Sequence, residues 1–367
     1  MFWLFTEHVW SKGGIVMEEI KKMKFSVLTE KGHAEVRERN LPEMGPDDVL
    51  VKQLACNICT TDYGQWLGLR EHQGYPMAGG HEESGIVMAI GEDVKDLKPG
   101  DHVAVAYDSC GKCEACRRGQ ESMCTGADYK NLSEDGYRGK FGFANYNVRQ
   151  ARTLVKMNPD LDPSEAAFLE PLATVCKGVD KLRLQPFETV VVIGAGTMGL
   201  VNAQAAKARN CRVIVTELME KKIQTARAMG FEVVDVSAGD PVEQVKKLTD
   251  GKGVDAVIVA VGNTGANTQA VQMLKKVDGR VLLFAAGYPA PRIETDSNEL
   301  HYRRIELIGT FGADMKDFFE AARLLNTGAV DMSKLVEPEK FPLDRIQDAF
   351  AAASVPGKYR VSVLLNE

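Results

Sequence analysis

Hydrophobic and polar positions along the chain change rhythm near residue 171. Residues 25–28, 49–54, 85–90, 101–106 and 143–148 are short runs rich in Val, Ile and alternating apolar positions. Leu41-Pro42, Lys98-Pro99-Gly100 and the Gly139 to Gly142 turn separate them. Short strands divided by Gly and Pro predict a small β-barrel-like unit. Beyond about Pro171, residues 189–193, 212–216, 256–261, 280–284 and 306–308 are nearly all apolar, the texture of strands buried on both faces. Residues 198–208, 221–229, 241–248 and 266–274 read as helices between them. Strands alternating with helices predict parallel βαβ units. Past Gly312, amphipathic helices over about 316–325 and 343–353 precede a terminal strand at 360–365.

Length and charge narrow the function classes. A prior of about 150 residues per domain turns 367 residues into two domains. With 45 Lys+Arg against 51 Asp+Glu, the net charge of −6 gives no broad electrostatic reason to bind nucleic acid or an anionic membrane. No apolar run approaches the roughly 18 residues of a spanning helix, so neither nucleic acid nor membrane is an expected partner. The first 22 residues fit the rest poorly and lack the basic start and small-residue cleavage site of a signal peptide. Met17, just after Lys12-Gly13-Gly14, is the expected natural start, and a cytoplasmic location is expected.

Residues 190–193 run straight into Gly194-Ala195-Gly196-Thr197-Met198-Gly199. A strand, this G-x-G-x-x-G turn and a helix form a dinucleotide fingerprint. Gly194 permits the tight turn, Gly196 lets a pyrophosphate approach the backbone, and Gly199 allows close helix–strand packing. The helix N-terminus then receives the phosphates. Glu217 ends the next strand, about 20 residues on, where a carboxylate accepts from the adenosine ribose hydroxyls. A carboxylate there repels a 2′-phosphate, so NAD is preferred over NADP. Lys221 and Lys222 read as a solvated helix face.

Cys110, Cys113, Cys116 and Cys124 form C-x2-C-x2-C-x7-C. Four thiolates on one short loop can close a tetrahedral site around zinc with no position left for substrate, so this zinc is structural. An iron–sulfur cluster takes the same four thiolates and is the rival. Disulfides do not suit a chain without a secretory signal.

Three more segments carry donors: Cys56-Asn57-Ile58-Cys59-Thr60-Thr61-Asp62, Gly79-Gly80-His81-Glu82-Glu83 and Glu170-Pro171-Leu172. They supply thiolate, imidazole and carboxylate, and a catalytic zinc takes three protein ligands and keeps one position open. Each of these residues alone reads as structural. Together, in this order, with the four-cysteine loop and the glycine-rich turn, they resemble the zinc-dependent medium-chain dehydrogenase/reductase superfamily of alcohol, sorbitol and threonine dehydrogenases. The resemblance runs from about Met23 to the C-terminus.

That resemblance implies an α/β protein. A GroES-like β-barrel catalytic domain would span 23–173 and 312–367, after an atypical leader at 1–22. A Rossmann-type doubly wound parallel sheet domain would span 174–311. It implies two zinc ions per chain, one structural and one catalytic. Cys59, His81 and Glu170 match the catalytic ligands, and Glu82 either ligates directly or sits just behind. Asp62 matches the acid that orients His81. Thr61 matches the residue that hydrogen-bonds the reacting oxygen and relays its proton. Thr174, Gly262 and Phe284 would line the coenzyme cleft, with Thr197 and Met198 in the turn. Cys56, Cys176 and Cys211 match nothing functional and read as packing. A homodimer or homotetramer is expected.

The substrate is less defined. Glu170 and residues 301–309 resemble the sorbitol/iditol-like branch, which implies reversible oxidation of a secondary alcohol on a polyol, sugar or cyclitol to a ketone. The alternative is threonine-dehydrogenase-like oxidation of an amino alcohol or hydroxy acid. Gly312-Ala313 stand where the first group carries an Arg-Tyr pair and the second places an Arg about there. Tyr63, Trp66 and Arg70 are pocket candidates, and His72 lies near the expected mouth. A binding protein that has lost its metal is a third reading, opposed by the presence of Cys59, Thr61, His81 and Glu170.

Overall fold

Two sheets of different character divide the chain where the rhythm of apolar positions changes. The computed structural model describes residues 20–70, 74–127, 133, 135–287 and 289–366. Residues 1–19, with Met17 and nearly all of the expected leader, and His72 lie outside the described residues.

The first sheet is built on the long strand Asp48–Ile58. It pairs antiparallel with Glu83–Ile90, Tyr146–Gln150 and Val361–Leu364. Glu83–Ile90 passes the sheet on to His102–Val105 and then Leu154–Lys156. Phe341–Pro342 pairs parallel with Val361–Leu364, so the end of the chain returns to the first sheet. A separate hairpin joins Lys22–Glu30 to His33–Asn40. Its second strand escapes a hydrophobic reading because only Ala34 of its eight residues is buried.

Among the described residues the second sheet has six parallel strands, in the spatial order Glu232–Asp235, Arg212–Glu217, Thr189–Ile193, Ala256–Val259, Arg280–Leu283 and Glu306–Gly309. Alternate residues of one strand enter opposite cores: Val190 and Val192 join one, Val191 and Ile193 the other. Burial on both faces is why the inner strands read as unbroken apolar runs, whereas the edge strand Glu232–Asp235 buries only Val234. Strand order reverses between Thr189–Ile193 and Ala256–Val259. In open α/β sheets that switch point is where ligands bind, beyond the carboxyl ends of the strands.

The helix Leu169–Leu182 joins the two parts, ending in the left-handed Arg183. Ten of its residues are buried, and Thr174, Lys177 and Lys181 form a narrow polar stripe. Its Leu172, Val175 and Val179 share a core with Phe318, Ala321 and Leu325 of Met315–Asn326. Among the described residues no helix is long and apolar enough to cross a membrane.

Candidate active site

Cys59 sits at the end of the long strand and caps the helix Thr60–Trp66. Its Sγ accepts from Thr61 N at 3.2 Å, while Asp62 Oδ2 accepts from Cys59 N at 2.9 Å. This reciprocal capping box fixes three predicted site residues in one turn. His81 reaches the same corner, with Nε2 3.2 Å from Cys59 Sγ and Nδ1 3.6 Å from Asp62 Oδ1. One ring nitrogen thus faces the thiol and the other the carboxylate, the arrangement that orients metal-binding imidazoles. Burial opposes charge on His81, but the thiol of Cys59 and the carboxyl of Asp62 outweigh it and raise its pKa well above the ordinary value. Gly80, at φ +89, lets the chain turn into His81, and a Cβ there would lie 2.7 Å from Phe143 N.

The two glutamates differ. Glu82 is 1% exposed and takes both Arg360 Nε (2.8 Å) and Nη2 (2.7 Å). Burial pushes its carboxyl up to about 7 even though Arg360 pulls it down. Glu170, on the joining helix, accepts from the hydroxyl of Tyr107. Cys59, Asp62 and His81 form one potential metal-binding group and His81, Glu82 and Glu170 another, with ligand atoms in each within 4.8 Å of one another. Soft and hard donors therefore converge on His81, a set suited to zinc. A cavity of about 660 Å³ opens beside them, lined by Thr61, His81, Tyr107 and Glu170, with Arg70 and Arg138 also on its wall.

Away from this corner, the four sulfurs of Cys110, Cys113, Cys116 and Cys124 lie within 4.8 Å of one another. Cys113 Sγ is 3.4 Å from Cys116 Sγ and 3.9 Å from Cys124 Sγ, and Cys110 Sγ is 3.9 Å from Cys116 Sγ. Tetrahedral bonds of about 2.3 Å require edges of about 3.8 Å, so the set fits a single ion. Backbone N–H groups of Cys110, Lys112, Cys113, Cys116 and Gly126 point at these sulfurs. They favour thiolates, and the N–H of Cys116 leads the interactions that pull Cys113 down to about 6. All eight cysteines are unbridged, and Cys56, Cys176 and Cys211 are buried in packing.

The glycine-rich turn meets the helix Thr197–Lys207, which starts without a side-chain cap. A Cβ on Gly199 would lie 1.9 Å from Gly194 O, whereas one on Gly196 would meet only Lys222 Nζ, at 3.8 Å. The turn therefore packs tightly at one glycine and leaves open space with a cation at another, as a pyrophosphate requires. Glu217 Oε2 accepts from Ala195 N at 2.8 Å, and its Oε1 accepts from Leu218 N and Met219 N. Gly262 touches Gly287 and Ala286 at the strand ends, where a Cβ would come within 2.4 Å of Ala286 O. Thr174 Oγ1 donates to Pro171 O within its own helix, and Phe284 packs against the joining core.

Several placements differ from the sequence reading. Trp66 stacks on Phe350 and Tyr63 packs into the same core, leaving Arg70 alone of the three candidates on the cavity wall. Lys221 is exposed, as expected, but its amine also pairs with the buried Glu337 at 3.2 Å. Arg360, Tyr107 and Tyr359 carry no signal in the sequence; Tyr359 OH donates to Ala195 O at 3.2 Å, tying the end of the chain to the glycine-rich turn. None of the three lies in a motif, and only the folded chain brings them to the site.

Two family models match the chain: an alcohol dehydrogenase GroES-like domain over residues 45–159 and a zinc-binding dehydrogenase over 197–327. The chain is 31% identical to the L-threonine 3-dehydrogenase of Pyrococcus horikoshii over 342 residues, covering 90% of this chain and 95% of that protein. It is 31% identical to the sorbitol dehydrogenase of Halalkalibacterium halodurans over 330 residues, 86% and 92% of the two chains. The crystal structure of a zinc-binding dehydrogenase from Sinorhizobium meliloti 1021 bound to NADP superposes with a TM-score of 0.82 at 30% identity, covering 94% of this chain and 99% of that one. With likeness spanning both sheets and most of the length, the chain belongs to the zinc-dependent medium-chain dehydrogenase family.

Proposed function

We propose that the protein oxidises a secondary alcohol on a polyol, sugar or cyclitol to a ketone, reversibly, with NAD as hydride acceptor. Residues 23–173 and 312–367 carry the chemistry in this reading, and 174–311 hold the coenzyme. Cys59, His81 and Glu170 would hold the catalytic zinc, and Cys110, Cys113, Cys116 and Cys124 the structural one. Zinc would supply Lewis acidity at the substrate hydroxyl, and the coenzyme a hydride acceptor.

The chain's own residues do the rest. Asp62 holds His81 in one orientation. Thr61, on the cavity wall, would accept a hydrogen bond from the reacting hydroxyl at Oγ1 and relay its proton, giving up its own as it receives the substrate's. Glu217 repels a 2′-phosphate and receives the ribose hydroxyls, which favours NAD, while the Sinorhizobium relative was solved with NADP. Lys222 faces the phosphates from beside Gly196. One observation carries the reading: Arg360 Nη2 spans 2.7 Å to Glu82 beside His81 and 3.6 Å to Met198 Sδ in the coenzyme turn. The metal corner and the dinucleotide turn thus share one side chain.

The sorbitol dehydrogenase relative supports a polyol, and the threonine dehydrogenase relative supports the amino-alcohol alternative. A panel of polyols, sugars, cyclitols and hydroxy amino acids, assayed with NAD, decides between them. Turnover on polyols supports the reading; turnover confined to hydroxy amino acids replaces it. A cytoplasmic homodimer or homotetramer completes the proposal. Among the described residues Glu306–Gly309 has one open edge that a second copy would cover.

A further inference from the structure

We propose that Tyr107 is a positioning residue for Glu170 and sets how firmly the catalytic-site metal is held; this rests on the reading of Glu170 as a ligand. Tyr107 lies between the strand His102–Val105 and the four-cysteine loop. Its hydroxyl donates to Glu170 Oε1. A carboxylate has a second oxygen, and a Glu170 oxygen lies within 4.8 Å of both a His81 nitrogen and a Glu82 oxygen. Holding one oxygen restricts the other to a small arc.

The phenol can act as such an anchor because its ring is fixed from three sides. Phe318 packs edge-on, with centroids 5.2 Å apart at 78°. Lys140 Nζ lies 4.8 Å from the ring centroid. Gly312 closes the third side, where a Cβ would be 3.6 Å from Tyr107 Cε2. These neighbours come from a helix, a loop and the segment after the last coenzyme-sheet strand. The tyrosine therefore presents its hydroxyl at one place, and Glu170 meets it there. Outer partners of metal ligands are commonly worth about 10–100-fold in metal affinity.

The test uses the zinc-loaded enzyme and Tyr107→Phe, which keeps the ring and removes the hydroxyl. Under a competing chelator, the catalytic-site metal should leave about tenfold faster or more, while the four-cysteine metal leaves at the parent rate and reports an intact fold. With cobalt in the catalytic site, the visible absorption bands should change. Parent-like release together with a parent-like cobalt spectrum overturns the proposal. Glu170→Ala separates the two levels: parent-like metal retention there defeats Glu170 as a ligand, and the proposal with it. Rapid loss there beside parent-like Tyr107→Phe defeats only the role of Tyr107. Adding Tyr107→Phe to Glu170→Ala should change nothing more; further acceleration means Tyr107 acts elsewhere and also overturns the proposal.

Discussion

Arg360 clasps Glu82 through Nε at 2.8 Å and Nη2 at 2.7 Å, although 278 residues separate them. The pair is buried, with side chains 9% and 1% exposed. Burial opposes the guanidinium charge, but Glu82 outweighs it and raises the arginine's pKa. Removing one partner leaves a buried charge alone, which costs about 3–5 kcal/mol. Arg360→Met should lower the free energy of unfolding in urea by about that amount, and an unchanged midpoint would show that the clasp carries no stability.

Asp314 ties three segments together. Its Oδ1 accepts from Ser122 N at 2.9 Å and its Oδ2 lies 2.9 Å from Lys177 Nζ. Burial raises the carboxyl, but Ser122 and Lys177 outweigh it and hold Asp314 below its ordinary 3.8. A carboxyl held below its unfolded value adds stability above that value, and the gain is lost as pH falls through the folded one. Asp314→Asn should therefore cost about 1–2 kcal/mol at neutral pH. The gap to the parent should shrink as pH falls below the ordinary 3.8. A gap that stays constant with pH in urea melts contradicts this.

Gly199 admits no side chain, since a Cβ would lie 1.9 Å from Gly194 O. Gly199→Ala should push the helix off the turn and weaken NAD binding at least about tenfold, or ~1.4 kcal/mol. Titration by fluorescence of the reduced coenzyme measures it; parent-like affinity would mean the turn does not cradle the phosphates.

Glu217 discriminates between coenzymes in this account. A hydrogen bond to a charged group is worth about 1.5–3 kcal/mol, so Glu217→Ala should cut kcat/KM for NAD at least about tenfold. The value for NADP should fall less or rise, because the repulsion is gone. An equal loss with both coenzymes removes Glu217 from the choice.

Much of this arrangement is legible in the chain because short-range rules govern it. The glycine-rich turn, the strand before it and Glu217 follow from local backbone demands, and five of the six parallel strands from apolar runs; Glu232–Asp235, with one buried residue, offers no such run. The cysteine loop is legible because its four ligands lie within 15 consecutive residues, 110–124. Glu170 and Thr174 are visible as motif residues, but the helix that carries them buries ten of its residues and shows only a narrow polar stripe. Arg360, Tyr107 and Tyr359 are invisible for another reason: each acts through a partner distant in sequence, from a segment whose composition is ordinary. Lys221 is solvated as it reads, but its pairing with Glu337 is a contact that only the fold supplies.

The central claim is that Cys59, His81 and Glu170 hold a zinc on which NAD-dependent oxidation of an alcohol depends, separate from the four-cysteine zinc. The direct measurement follows zinc content and NAD-dependent polyol oxidation in the same samples during dialysis against a mild chelator. The account predicts that the first zinc lost takes the activity with it, while the second stays bound in the inactive protein. Loss of both zincs together, or full activity after the first has gone, would contradict it.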